Sequence, residues 1–420
     1  MIRPEEVDFV SYPYEWSFGQ LKAAALLTLD IQEQALAAGF TLRDASAFNV
    51  QFHRGRPILI DSLSFEPAQP GAPWMAYRQF CEHFLGPLAL MAYRDVRLGL
   101  LQRDFVDGVP LDLVSTLLPG RTRLRLGILS HVHMHAAAQR RSGTAVPDAR
   151  PGRQPRMSAL AQRALLDSLK RAVDRLRWDA GSTVWADYAT NTSYSDAATR
   201  SKAEIVQRYL ADAGGERVWD LGANTGVYSA IAAQLGRRVI AWDLDAAAVE
   251  RHWRGVARDN SENVLPLVLD LRNPSPSLGW ALRERRSILE RGNPDVVMAL
   301  ALVHHLAIGG NVPLSMVSRF LAELGGCLII EFVPKEDPMV RTLLATRADV
   351  FPDYTYEGFE EAFRADWATV STTAIEDSPR TLFHMRRRPR SDDGEAEAES
   401  SFGERAVPCR LPERPHLGRS

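Results

Sequence analysis

The sequence predicts an α/β chain in which a doubly wound sheet follows a mostly helical N-terminal region that carries a small hairpin. Three observations carry that prediction. Val218-Trp-Asp-Leu-Gly-Ala-Asn-Thr-Gly226-Val-Tyr reads as strand, sharp glycine turn and helix in immediate succession. Four further apolar runs, beginning at Arg238, Val264, Pro294 and Cys327, alternate with helical segments, as parallel strands joined through helices require. Finally, Trp367 to Ile375 and Thr381 to Arg386 form two strands about the tight turn Asp377-Ser-Pro-Arg380, bringing the set to seven.

The totals bound the rest. A chain of 420 residues has room for two domains and a sizeable core. Its 50 basic and 52 acidic residues nearly balance, so net charge gives no argument for a nucleic-acid or membrane partner. Cys81, Cys327 and Cys409 are scattered without a C-x-x-C pair, which argues against a disulfide framework and a zinc site and fits a reducing cytoplasm. The N-terminus lacks an apolar signal core and no run approaches bilayer length, so a soluble cytoplasmic protein is expected. Oligomeric state is not legible.

In chain order, Tyr12, Tyr14 and Trp16 around Pro13 form an aromatic arm suited to packing on a neighbour. A helix is expected from Phe18 to Ala38, with Leu21, Ala24, Ala25 and Leu29 on its apolar face and Gly39 as its stop. Asn49 to Phe52 and Pro57 to Asp61 read as a hairpin across His53-Arg-Gly-Arg. Asp44, Asn49 and Asp61 fall in the order of a kinase catalytic loop and its metal-binding acid. Leu42 replaces the expected His, however, Asp61-Ser-Leu replaces D-F-G, and too few residues precede for a glycine loop. A kinase-like remnant without kinase activity is the expectation. Residues 72–141 read as mostly helical; His131, His133 and His135 suit a solvated helix end better than a metal site, and Arg121, Arg123 and Arg125 a solvated face. Residues 1–141 thus form an N-terminal region, 142–156 a Gly/Pro/Arg-rich linker, 157–388 the α/β domain and 389–420 a disordered tail.

The chemistry gathers on the α/β domain. Gly222 and Gly226 let the backbone turn tightly and a ligand approach closely, and the helix after them points its free N–H groups at the same crevice. Counting from Gly222, Asn224 and Val227 stand where G-x-G-x-x-G needs glycines, so a dinucleotide is disfavoured. Instead, Asp220-Leu-Gly-Ala-Asn-Thr-Gly226 resembles the first motif of class I S-adenosylmethionine-dependent methyltransferases, whose Rossmann-like sheet has seven strands ending in a hairpin.

That resemblance implies a cofactor site residue by residue. Gly222, Ala223, Asn224 and Gly226 would pass under the methionine part and Asp220 would lie near its amino group. Asp243, ending the second strand, would accept the ribose hydroxyls, with Asp245 as fallback and helix capping as the alternative use of such an acid. Asp270 would meet the adenine amino group with Leu271 beside the ring, while Tyr188, Asn191 and Tyr194 precede the first strand where a segment folds over the cofactor. His304 and His305, after the fourth strand, are the catalytic candidates: one could act as general base, or one packs on the cofactor while the other caps the strand. Leu42 to Glu66, Asp270 to Trp280 and Ile329 to Pro338 further resemble bacterial methyltransferases similar to a host-specific nodulation protein. The implied activity is methyl transfer to an oxygen or nitrogen of a small molecule or glycan; an RNA or protein methyltransferase and a non-catalytic cofactor-binding protein are the alternatives.

Overall fold

The computed structural model describes residues 6–138, 156–181, 195–345 and 348–389. Tyr188, Asn191, Tyr194, the expected linker apart from Arg156, and the tail apart from Pro389 lie outside the described residues. By internal contacts, residues Met1–Arg387 group into one unit.

The N-terminal region begins with a helix at Phe18–Ala37, started by a reciprocal cap between Ser17 and Gln20 and stopped at Gly39, whose φ is +82°. Four short strands follow: β1 (Phe40–Leu42), β2 (Val50–His53), β3 (Arg56–Leu59) and β4 (Phe65–Pro67). β2 pairs antiparallel with β3 through Arg54 and Gly55, whose φ values of 48° and 69° are both left-handed, as the favoured two-residue hairpin turn requires. β1 pairs with β4. Short helical segments then run from Tyr77 to Met134.

His131 and His133 correct the expectation of a solvated helix end. Both are buried: His131 bridges Tyr77 (2.8 Å) and Ser168 (2.9 Å), and His133 bridges Ser115 (2.9 Å) and Thr122 (2.8 Å). Most buried polar atoms are hydrogen-bonded, and hydroxyls supply both partners of each imidazole here.

Seven strands make the main sheet: β5 (Arg217–Leu221), β6 (Arg238–Asp243), β7 (Val264–Val268), β8 (Val296–Ala299), β9 (Cys327–Phe332), β10 (Trp367–Ala374) and β11 (Thr381–Arg387). Their order is β10-β11-β9-β8-β5-β6-β7, with β5 to β9 parallel and the last two antiparallel. β5 therefore has β6 on one side and β8 on the other, the point where strand order reverses and where open α/β sheets bind ligands. β8 is shorter than expected. The chain leaves it at Ala301, whose φ of 51° breaks the extended run, so His304 and His305 enter a helical turn instead of ending a strand.

The N-terminal region covers the free edge of the sheet. β7 is an edge strand, and the Gln20 side chain donates to the Pro266 carbonyl at 2.9 Å, occupying an acceptor that would otherwise invite another strand. Gly19 N–H donates to Glu250 (2.8 Å) on the helix Ala246–Arg258. The aromatic arm is clamped by Arg291, which makes a two-pronged pair with Glu15 at 2.7 and 2.6 Å, both side chains 1% exposed, and lies over the rings of Phe9, Tyr12 and Trp242. Among the described residues no helix is long and apolar enough to cross a membrane.

Candidate functional site at the sheet switch point

The glycine turn after β5 is stitched to the end of β6. Gly222 and Ala223 N–H both donate to the Trp242 carbonyl at 2.9 Å, and Asn224 N–H donates to the Asp243 carboxylate at 2.7 Å. Gly222, Asn224 and Gly226 take φ of 78°, 50° and 85°, which only glycine adopts freely and asparagine tolerates. Gly226 is constrained twice, because a Cβ there would lie 2.1 Å from Nε2 of His252.

One cavity of about 410 Å³ opens on this turn, within the usual range for small-ligand sites. Its wall holds Gly222, Asn224, Asp243, Asp245, Asp270 and Leu271 from the ends of the first three parallel strands, and Leu302, His305, Leu306, Gly309, Thr342 and Leu343 from later in the chain. Gly222, Asn224, Asp243, Asp270, Leu271 and His305 are thus brought together as expected. Asp220, Ala223, Gly226 and His304 stand behind the wall and are not among its lining residues.

The acids differ in their surroundings. Asp220 is 2% exposed and accepts the Ser229 hydroxyl at 2.6 Å; burial pushes its pKa up to about 6 against the pull of Ser229 and Lys202. Burial likewise raises Asp243 to about 6, opposed by the N–H groups of Asp245 and Asn224 that it accepts. Helix capping falls to Asp245, which accepts Ala247 N–H at 2.9 Å, leaving Asp243 in the wall. Asp270 accepts Arg272 Nε (3.1 Å) and Nη2 (3.2 Å) in a half-exposed pair, and Arg272 itself lines the cavity.

The two histidines separate cleanly. Their rings lie 4.0 Å apart, but His304 is fully buried with neither ring nitrogen paired, whereas His305 faces the cavity. Burial, with the charges of Arg380 and Arg272, lowers His305 to about 4; burial and its neighbours hold His304 well below the ordinary histidine range. Both imidazoles are neutral near pH 7.

Sequence reasoning missed the buried charges behind this wall. Lys202 Nζ contacts Glu331 at 2.7 Å, Arg380 reaches Glu331 at 3.4 Å and Asp337 at 2.7 Å, and no side chain of the four is more than 3% exposed. Lys202 also sits 4.5 Å over the Tyr228 ring, on the helix that follows the glycine turn. No spacing joins residues so far apart in sequence. Arg272, Thr342 and Leu343 were missed too, although Arg272 directly follows Asp270-Leu271. The kinase-like trio stays local: Asp44 accepts Ser46 N–H (2.8 Å) and Asp61 accepts Leu63 N–H (2.9 Å), each closing a turn. Among the described residues no group of three His, Cys, Asp or Glu is placed to hold a metal.

Comparison with known proteins gives one extended match. The chain is 41% identical over 383 residues to nodulation protein NoeA of Rhizobium meliloti (strain 1021), covering 90% of this chain and 80% of that protein. No protein-family model matches. Among solved structures, magnesium protoporphyrin IX methyltransferase (ChlM) from Synechocystis PCC 6803 with bound SAH is 18% identical over 46% of this chain and 84% of its own, with a TM-score of 0.33. N-methyltransferase NodS from Bradyrhizobium japonicum WM9 is 10% identical over 47% of this chain and 99% of its own, also at 0.33. At these scores the fold assignment rests on the strand order itself.

Proposed function

The chain belongs to the family of nodulation protein NoeA and has the seven-stranded fold of class I S-adenosylmethionine-dependent methyltransferases; from that premise we propose that it transfers a methyl group from this cofactor to an oxygen or nitrogen nucleophile of a small molecule or glycan. The observation that carries the proposal is the convergence, at the reversal of strand order, of a left-handed glycine turn with acids from two successive strand ends, Asp243 and Asp270.

These residues fit the cofactor's chemistry. Gly222 leaves the backbone bare for the methionine part, the Asn224 carboxamide accepts Thr225 N–H (2.8 Å), and Asp220 lies behind them to offset the ammonium charge through the turn. Asp243 accepts ribose hydroxyls, while Asp270 and Leu271 face the adenine. The bound cofactor supplies a methyl group on a positively charged sulfur. The protein supplies position: the acids fix the cofactor, and Leu302, His305, Leu306, Thr342 and Leu343 orient the acceptor. His305 is the residue we assign to contact the acceptor atom; His304 packs behind it and holds its ring. On this reading 157–388 is the catalytic domain and 1–141 a region docked on its edge.

Calorimetric titration with S-adenosylhomocysteine tests the proposal. Micromolar binding to the wild type, lost in Asp243→Ala, is the expected result; no binding to folded wild-type protein overturns the reading. An RNA or protein acceptor would need a basic groove beside the crevice, yet Arg272 is the single Lys or Arg among the described residues lining it.

A further inference from the structure

The acceptor side of the cavity holds little that can remove a proton. Among the described lining residues, Leu302, Leu306, Gly309 and Leu343 are inert, Thr342 is a hydroxyl, and His305 is the one imidazole. Each lining carboxylate is already engaged: Asp245 caps a helix, Asp243 accepts two backbone N–H groups and Asp270 pairs with Arg272. His305, with its pKa lowered to about 4, is a weak base toward a sugar or alcohol hydroxyl, since an effective general base titrates near the working pH.

Among the described residues the lining carries one fixed positive charge. Arg272 binds Asp270 through Nε and Nη2, leaving Nη1 without a hydrogen-bond partner among the described residues, and its side chain is 47% exposed. Its stem lies against the turn that follows His305: a Cβ on Gly310 would be 3.1 Å from Arg272 Cδ, so the bare glycine leaves room for the side chain. Arg272 therefore reaches from the adenine end toward the acceptor wall. A guanidinium with free N–H groups is suited to a carboxylate or phosphate.

Resting on the methyltransferase reading, we propose that the acceptor atom is an oxygen of an oxyacid already ionised before transfer, a carboxylate or a phosphate monoester, recognised by Arg272. Such an oxygen takes the methyl group through a lone pair it already holds. The carbon–sulfur bond breaks with its electron pair onto sulfur, the products are an ester and a neutral thioether, and no proton need be removed. A poor base in the wall is then no handicap.

The test uses the full chain saturated with S-adenosylhomocysteine, titrated calorimetrically with inorganic phosphate and, separately, with acetate. The wild type is expected to bind one of the two with a millimolar dissociation constant, and which one binds separates phosphate from carboxylate. Arg272→Gln should weaken that binding at least tenfold. Arg272→Lys, which keeps the charge but not the planar fork, should weaken it less than Arg272→Gln does. Anion binding unchanged in Arg272→Gln would mean that Arg272 serves only to hold Asp270, which overturns the proposal. So would absence of binding of both anions to the loaded wild type. Failure of the wild type to bind S-adenosylhomocysteine at all would instead remove the underlying reading.

Discussion

Two residues of the site show how local backbone and burial set its chemistry. Gly226 has a left-handed φ and faces the His252 ring, so Gly226→Ala incurs about 1–2 kcal/mol for the backbone and about 1–3 kcal/mol for overpacking. The expected result is a drop in urea-unfolding free energy of that summed order together with loss of cofactor binding. Adding His252→Ala should restore only the packing share, because the backbone strain remains. Asp243 makes a pH prediction. Its folded pKa, raised from 3.8 to about 6, means that between these values the folded protein holds a proton the unfolded chain has released. The contribution of this acid to stability therefore falls as pH rises from about 4 to about 6. Hydrogen bonds from ribose hydroxyls favour the carboxylate, so binding should expel that proton. Titrations at pH 5.5 in buffers of different ionisation enthalpy should show proton release that vanishes at pH 8 and is absent in Asp243→Asn. Equal proton release in both proteins would show that another group, such as Asp220, titrates.

At the scale of elements, most strands and helices were legible because their periodicity is local. The strand β6 runs from Arg238 to Asp243 as expected, and the helix expected from Phe18 to Ala38 stops one residue earlier, at Ala37. The histidine pair follows the fourth strand as expected, but the apolar run from Pro294 does not reveal that Ala301 turns left-handed between the two. What sequence did not disclose is how elements meet. Gln20 and Pro266 are 246 residues apart, Glu15 and Arg291 are 276 apart, and neither pair leaves a periodic trace. These contacts also decide the energetics. Arg291→Met strands the Glu15 carboxylate in the core, which should cost roughly 3–5 kcal/mol, whereas Arg291→Met with Glu15→Gln should recover most of it. Comparable losses in the single and double variants would mean that the rings of Phe9, Tyr12 and Trp242 depend on the guanidinium itself. Lys202→Met poses the same question of Glu331, and because Lys202 lies over Tyr228 beside the glycine turn, its loss should weaken cofactor binding as well as stability.

For the whole molecule, the division into an N-terminal region and an α/β domain reads differently in sequence and in space. Composition separates the two at 142–156, yet one continuous core runs from Phe9 through Leu88 and Trp242 to Met385, and the N-terminal helix covers the edge that β7 would otherwise expose. An uncovered edge strand pairs with other chains. A fragment beginning at residue 157 would lose Gln20, Glu15 and the aromatic arm together, leaving Arg291 buried without its partner and Pro266 without its donor. Such a fragment is therefore expected to aggregate or to remain unfolded, and the chain ending at residue 389 should unfold in one calorimetric transition with the melting temperature and cofactor affinity of the full length. Two transitions, or a soluble fragment that binds S-adenosylhomocysteine with wild-type affinity, would mean that the N-terminal region is a separate body. Its elements would then be free to serve the acceptor and not the sheet edge.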